Sequence, residues 1–370
     1  TFIFSFYLFE SYLFLDSREF RVWKSGVNYD KRSEIEFYVT SKKEDGNIKM
    51  IVPPVKYFNE KNLSILPLSG ISKSKTILCN EHGYQTLYDS DRYGFNNPDT
   101  EWDKSTEFLL IGDSFTQGTC VNRENSIAGI LRKISNNSGV ITLGYMANGP
   151  LIEYATLREY LDLIKPKNII WLYYENDFWD LQFELQNEIL INYLKDLNFT
   201  QNLSNKQKEI DLLAQSQLDK DEISFNNSIK NNTNYTIKKY IKLFKLRTFI
   251  KSISDKELVK KISPQFKEIL KLAHKQAKIN DSNFYFVYIP EYKRYKKNLK
   301  FDDDLNDYGK TINFVESLKI PIIDLNKEIF QKNDDPLSLF PFRKRAAGFS
   351  PEVNIKVTET IYNKIINNNN

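Results

Sequence analysis

Ser114 is the residue of this sequence with the clearest potential for chemistry. It follows an apolar run, 108–111, and lies in a turn of small and polar residues that extends to Gly118. Open α/β sheets carry their reactive groups in turns at the carboxyl ends of strands. A serine hydroxyl presented in this way can attack an acyl carbon once a base accepts its proton. The sequence therefore predicts that Ser114 is a nucleophile.

Two further segments could stabilise the oxyanion of an acyl-transfer reaction. A second strand-like run leads into the small-residue loop 144–150, whose backbone N–H groups can approach an oxyanion, and a third ends at Asn176 and Asp177. An acyl-transfer site needs two or three such donors, and loss of one commonly costs a factor of about 10²–10³ in rate. Each residue also has a purely structural interpretation, with Ser114 as a helix N-cap and Asn176 as a turn former.

Taken together, these segments resemble the SGNH/GDSL hydrolase superfamily, in a bacterial branch that carries an N-terminal anchor. The resemblance covers roughly residues 85–366, including the turn-rich run 89–98. It implies that Ser114 is the nucleophile, and that its own N–H, the N–H of Ala147 and the Asn176 side chain form the oxyanion hole. The family's four motif blocks correspond here to Gly112-Asp113-Ser114 with Phe115, to 144–149, to Asn176-Asp177 and to 345–351. In the second block the usual glycine matches Ala147, with Gly149 as the alternative, and the glycine that usually precedes the third block is Glu175 here.

The family's histidine base is missing from its expected place. Aligned on Ser350 and Pro351, Gly348 occupies the histidine position and Arg345 the position of the aspartate that usually orients it. Asp335 and Asp324 remain as possible orienting acids. If only the base has been lost, Gly348→His should raise the esterase rate strongly.

Only two histidines, His82 and His274, could replace the missing base. His274 lies in a helical pattern expected to cover the flank of the sheet. His82 follows Cys79 closely, so a Cys79–Cys120 bridge would draw it toward the Ser114 turn. A surface or half-buried structural role is expected for both.

Alternating strands and helices must position these residues. The continuous apolar strands indicate burial on both faces, and hence a parallel sheet. Five strands with intervening helices predict a three-layer α/β/α, doubly wound parallel sheet, flavodoxin-like as in SGNH hydrolases. The predicted strands are 107–111, 140–143, 168–174, 284–289 and 320–325, and the predicted helices are 126–134, 151–163, 305–318 and 351–366, the last capped by Ser350.

Domain organisation follows from composition. Residues 1–15 are almost entirely apolar and predict a truncated signal anchor or transmembrane segment, with a buried N-terminal helix as the alternative. Residues 16–105 are predicted to form an irregular segment that packs on the core, and residues 106–370 the SGNH-type domain. The polar stretch 180–264 predicts a helical insertion after the third strand, either a solvated excursion or a lid or partner-docking element.

Charge and cysteine content limit the partners and the compartment. With 52 basic and 48 acidic residues the chain carries a net charge of +4 and has no basic stripe, so nucleic acid is not an expected partner. No cofactor is predicted and no spacing of metal ligands is recognisable. Cys79 and Cys120 can form one disulfide if the domain is exported, or remain small core residues in the cytosol.

The predicted function is hydrolysis of an ester bond in a small molecule or a cell-envelope glycan, by a domain anchored outside the cytoplasm. One alternative is a carbohydrate O-acyltransferase of the same fold, which needs the same base. The other is a pseudoenzyme that binds a glycan or partner without turnover.

Overall fold

A computed structural model provides the coordinates. It describes residues 2–15, 26, 28–60, 63–175, 177–230, 242–243, 246–247, 263–295, 302–341 and 348–368. Asn176 lies outside the described residues, as do Arg345 and most of the stretch 231–262.

Two sheets organise the described residues. The smaller contains β1 (Ile48–Met50), β2 (Lys75–Cys79) and β3 (Thr86–Asp89). The larger contains β4 (Thr106–Gly112), β5 (Gly139–Thr142), β6 (Asn168–Tyr174), β7 (Asn283–Ile289) and β8 (Ile322–Asp324). Its strands are all parallel, in the order β5-β4-β6-β7-β8. This confirms the predicted five-stranded parallel sheet.

The order of the larger sheet defines where a ligand crevice opens. From β4 the chain first adds β5 on one side and then crosses to add β6, β7 and β8 on the other. The direction of winding therefore reverses between β4 and β6, and open α/β sheets bind ligands outside the carboxyl ends of the strands at such a point. Ser114 follows the carboxyl end of β4 and lies at this switch point.

Helices cover both faces of the larger sheet. In chain order the α-helices are α1 (Phe2–Leu15), α2 (Glu34–Ser41), α3 (Ser114–Gln117), α4 (Ile127–Ile134), α5 (Pro150–Ile164), α6 (Asp177–Glu184), α7 (Glu188–Lys195), α8 (Gln207–Lys230), α9 (Pro264–Ile279), α10 (Asp302–Ser317) and α11 (Pro351–Asn368). Helices α5 and α9 pack together on one face, and α4 and α11 on the other. Successive β4 residues alternate between these two cores, with Leu109 in the first and Leu110 in the second. The predicted three-layer arrangement is therefore confirmed.

Sequence-derived boundaries agree closely with the observed ones. All seven residues of β6 are buried, as its unbroken apolar run predicted. Ser350 accepts a hydrogen bond from the Val353 backbone N–H at 3.5 Å, in the predicted N-cap position of α11. The strand predicted at 320–325 is shorter, because only 322–324 pair with β7.

The helical insertion packs on the segment that precedes the sheet. Asp211 in α8 accepts hydrogen bonds from the Ser72 backbone N–H and hydroxyl at 2.8 and 2.7 Å. The Gln201 side chain accepts a hydrogen bond from the Leu66 backbone N–H at 2.6 Å. Leu190, Tyr193, Ile210, Ala214 and Leu218 are fully buried. The described part of the insertion is therefore a helical layer joined to residues 63–74.

At the N-terminus, the apolar residues form α1, a helix of 14 residues. Its single charged residue, Glu10, is buried and accepts a hydrogen bond from the Leu246 backbone N–H at 2.7 Å. Among the described helices, none combines the length and apolar character needed to cross a membrane.

Candidate active site at the carboxyl edge of the sheet

The Ser114 turn is fixed by its backbone. Gly112 ends β4, where a Cβ would come within 2.1 Å of Thr116 Oγ1 and 2.7 Å of the Leu172 carbonyl oxygen, so only glycine fits. Asp113 is the N-cap of α3, and its Oδ1 accepts a hydrogen bond from the Phe115 backbone N–H at 2.8 Å. Ser114 is half-buried, whereas the other three residues of α3 are buried. The turn therefore leaves Ser114 as the accessible residue of α3.

Loop 143–149, which contains the second block of the motif, lies against this turn. The Thr142 hydroxyl donates a hydrogen bond to the Thr116 carbonyl oxygen at 2.9 Å. A Cβ on Gly144 would lie 2.5 Å from the Gln117 backbone nitrogen, so the two segments are in direct contact. Ala147 has a φ of 59°. This is the left-handed conformation, which favours glycine over alanine.

The third block converges on the same edge of the sheet. The ring centroids of Tyr174 and Phe115 are 4.4 Å apart, so the end of β6 packs on α3. Asp177 accepts a hydrogen bond from the Tyr174 backbone N–H at 2.8 Å, so the start of α6 is tied to the end of β6. Asn176 itself lies outside the described residues, so its predicted role stays a prediction.

Glu175, the departure from the family pattern, forms a buried ion pair. Its carboxylate pairs with the Arg294 guanidinium and accepts a hydrogen bond from the Glu291 backbone N–H at 2.8 Å. Arg294 also donates to the Tyr288 hydroxyl at 3.1 Å. Glu175 therefore ties the end of β6 to the segment after β7, a connection that glycine could not make.

Gly348, at the expected position of the base, is packed beside the nucleophile turn. A Cβ at this position would lie 2.6 Å from the Thr119 carbonyl oxygen and 2.9 Å from Thr119 Cβ. The neighbouring residue, Phe349, is buried, and the centroid of its ring lies 5.0 Å from that of the Phe115 ring. The backbone of Gly348 is therefore too close to Thr119 to carry a side chain there.

The two histidines differ in position. His274 on α9 is half-buried, with its ring 5.8 Å from that of Phe284 near the amino end of β7. It therefore lies toward the edge of the sheet opposite Ser114. His82 lies in the loop between β2 and β3, and its charge contributes to lowering the pKa of Glu352 in α11, chiefly an effect of the Ser350 hydroxyl.

Cys79 and Cys120 form the disulfide that the sequence allowed, and it links the loop of His82 to the segment after α3. Such a bond is compatible with a domain outside the cytoplasm.

The two candidate orienting acids lie on the segments after β7. Asp324 ends β8 and accepts a hydrogen bond from the Tyr308 hydroxyl. Asp335 precedes the short turn 336–339, and its predicted role stays a prediction. Within the described ranges, no group of three or more His, Cys, Asp or Glu side chains is arranged to hold a metal ion.

Sequence reasoning missed a cluster of five carboxyl groups beneath the site. We call Asp113, Glu153, Asp177, Asp180 and Glu184 the acidic cluster. Burial raises the pKa of Asp180 to about 7 and that of Glu184 to about 8. Burial and neighbouring negative charges also hold the pKa values of Glu153 and Asp177 well above the usual range.

A signal for the cluster was present in α6. Asp177, Asp180 and Glu184 are spaced i, i+3 and i+7, and therefore share one helix face. That face turns inward, whereas Trp179 and Phe183 are 41% and 60% exposed. Apart from the buried Leu181, α6 thus directs carboxyl groups toward the protein and two aromatic side chains toward the solvent, unlike an ordinary surface helix.

Burial raises the pKa of Asp113 to about 7. The hydrogen bond from the Phe115 N–H opposes this rise, and the negative charge of Asp180 adds to it. The second carboxyl oxygen, Oδ2, accepts a hydrogen bond from the Ser114 hydroxyl at 3.4 Å. Asp113 and Ser114 therefore pair a carboxyl that titrates near neutrality with the predicted nucleophile.

A comparison with solved structures finds several similar chains. The fold is similar to a protein described as lipolytic and of the G-D-S-L family from Desulfitobacterium hafniense DCB-2, at 14% identity and TM-score 0.37, covering 70% of this chain and 99% of that one. It is also similar to the acetylxylan esterase Axe2 from Geobacillus stearothermophilus, at 14% identity and TM-score 0.35, covering 71% and 94%. A third neighbour is the psychrotrophic esterase EstA from Pseudoalteromonas sp., at 9% identity and TM-score 0.35, covering 72% and 100%.

No protein-family model and no curated protein matches the chain. At these identities and TM-scores the likeness carries no argument, and the functional argument depends on the site.

Proposed function

We propose that the protein hydrolyses ester bonds through an acyl-enzyme intermediate on Ser114. The observation that carries this proposal is the half-buried Ser114 at the switch point of the sheet, whose hydroxyl donates a hydrogen bond to the Asp113 carboxyl group at 3.4 Å. Open α/β folds use this location for reactive groups, and acyl transfer needs a nucleophile with a proton acceptor beside it.

The oxyanion hole of this proposal contains the backbone N–H groups of Ser114 and Ala147 and the side chain of Asn176. Support comes from the contact between loop 143–149 and α3, which brings the second block to the nucleophile turn. We propose as substrate an ester of a small molecule or of a cell-envelope glycan, with the N-terminal segment as the link to the membrane.

A fluorophosphonate probe tests the nucleophile. Peptide mass spectrometry should find the label on Ser114, and Ser114→Ala should abolish both labelling and hydrolysis of short p-nitrophenyl esters. Ser317→Ala is the matched control because Ser317 is an exposed residue at the end of α10. Hydrolysis that survives in Ser114→Ala would refute the proposal.

Replacement of water by a sugar hydroxyl as acyl acceptor would make the protein a carbohydrate O-acyltransferase. Adding glycan acceptors to the same assay distinguishes the two activities, because transfer consumes the ester and yields an acylated glycan instead of free acid.

A second candidate function, binding without turnover, is favoured by Gly348. Its contact with Thr119 leaves no space for the histidine that the family uses as base. A protein of this kind would bind a glycan ester equally well with and without the Ser114 hydroxyl. If the probe does not label wild-type protein, wild-type protein does not hydrolyse the esters, and Ser114→Ala binds as well as wild type, binding without turnover is favoured over ester hydrolysis.

A further inference from the structure

We propose that Asp113 is the general base of this site and accepts the Ser114 proton directly. This inference rests on the proposed esterase function and names the group that replaces the family's histidine.

The two oxygens of the Asp113 carboxyl group have different tasks. Oδ1 accepts the Phe115 backbone N–H at 2.8 Å and caps α3. This bond fixes the plane of the carboxyl group, and Oδ2 then lies 3.4 Å from Ser114 Oγ. A separation slightly longer than a tight hydrogen bond is usual for catalytic pairs without substrate, because such contacts shorten when the substrate binds.

The surroundings of Asp113 make its carboxylate a stronger base than an exposed one. The side chain is only 5% exposed, and its neighbours include Asp180 and Asp177 on α6, Glu153 on α5 and Tyr174 on β6. An exposed aspartate, with a pKa near 4, accepts a proton from a serine too weakly to be effective. A pKa of about 7 gives Asp113 the strength that a general base needs near neutrality.

Other acids of the cluster do not fit this task. Asp177 uses Oδ2 to accept the Tyr174 backbone N–H, and Glu184 accepts the N–H groups of Gly149 and Leu151. Burial and neighbouring negative charge also hold the pKa values of Asp177 and Glu153 well above the usual range. Asp113 is the member of the cluster that contacts Ser114.

The reaction balances with water as the only co-reactant. Asp113 Oδ2 takes the Ser114 proton as Oγ bonds to the ester carbonyl carbon. Collapse of the tetrahedral intermediate breaks the bond to the alcohol, which leaves with the proton from Asp113. A water molecule then gives its proton to Asp113 and attacks the acyl-serine. Breakage of the Oγ–carbonyl bond releases the acid, and the proton returns to Ser114.

The variant Asp113→Asn separates the catalytic role from the structural one. Asparagine caps helices as well as aspartate does, so the Phe115 N–H keeps its acceptor. The amide, however, cannot take up the serine proton. We expect kcat for p-nitrophenyl ester hydrolysis to fall by a factor of about 10²–10⁴, the usual contribution of general base catalysis.

Three measurements accompany this variant. Thermal unfolding should show that Asp113→Asn folds like wild type. The wild-type rate should rise with pH through a midpoint near 7, because Asp113 acts only when deprotonated. The control Asp196→Asn makes the same chemical change at an exposed carboxyl after α7 and should leave kcat unchanged.

The experiment also compares Asp113 with the other possible base. His82→Gln should retain at least one-third of wild-type kcat if Asp113 is the base. A kcat of Asp113→Asn within tenfold of wild type would overturn the assignment of Asp113 as the base. The esterase proposal is tested separately, by the loss of hydrolysis in Ser114→Ala. A wild-type protein without any esterase activity would overturn both.

Discussion

Gly348 and Thr119 are in such close contact that the histidine position of the family cannot accept a side chain here. A Cβ on Gly348 would approach the Thr119 carbonyl oxygen to 2.6 Å, and the neighbouring Phe349 ring packs on that of Phe115. The structure therefore argues against the simple idea that one substitution restores the base.

Gly348→His is accordingly expected to destabilise the protein and not to raise esterase activity. Overpacking of a filled site typically costs about 1–3 kcal/mol, which a denaturant titration measures directly. Gly309→His serves as the control, since a Cβ there has no neighbour within 4 Å. A stable Gly348→His variant with a large gain in kcat would show that the loop readily moves away from Thr119.

A second prediction concerns Glu184, which connects two blocks of the site. Its carboxyl group accepts the backbone N–H groups of Gly149 and Leu151 at 2.6 and 2.9 Å, and so holds the start of α5 and the loop before it. Glu184→Ala leaves these donors buried without an acceptor. We expect a loss of about 1–3 kcal/mol in the free energy of unfolding, together with a fall in kcat as loop 143–149 loosens.

The control for this change is Glu188→Ala, in the exposed first turn of α7. If the two variants were equally stable and equally active, Glu184 would have no part in positioning the loop.

The fold could be predicted from the sequence because its longest strands contain uninterrupted apolar runs. Each of the runs that became β4, β6 and β7 is long, uninterrupted and bounded by polar residues, and burial on both faces demands this pattern. The Ser114 turn could also be predicted, because Gly112 and Gly118 mark its two ends.

The features that could not be predicted from the sequence depend on pairs of residues that are distant in the chain. The contact between Asp211 and Ser72 spans 139 positions, and neither residue differs from an ordinary surface residue by type. The burial of Asp113 depends likewise on α5 and α6, so its pKa could not be inferred from the motif. The lack of space at Gly348 is a property of the Thr119 backbone, which no side-chain pattern records.

A third prediction tests the Glu175–Arg294 pair by a double-mutant cycle. The Arg294 and Glu175 side chains are 8% and 19% exposed, so removal of either leaves a mostly buried charge. Glu175→Gly, which removes the carboxylate, should lower the free energy of unfolding by about 3 kcal/mol. Arg294→Met should be similarly harmful, and the double variant should lose clearly less than the sum. Simple additivity in urea titrations would mean that the pair contributes no coupling.

The last prediction uses the acidic cluster as a pH-dependent element of stability. Burial raises the folded-state pKa of Asp180 to about 7 and of Glu184 to about 8, whereas unfolded carboxyls titrate near 4. The folded protein therefore binds more protons than the unfolded chain between these limits. The stability gained in this way is fully present below pH 4 and is lost as the pH rises through 7 and 8.

The melting temperature should consequently fall between pH 5.5 and pH 8.5. Asp180→Asn removes one of these titrations and should make the decline shallower, whereas Asp196→Asn, at an exposed position, should leave its slope unchanged. Differential scanning calorimetry at constant ionic strength measures both slopes. A melting temperature that rises over this interval, or an Asp180→Asn slope equal to that of wild type, would mean that the cluster is not buried in protonated form.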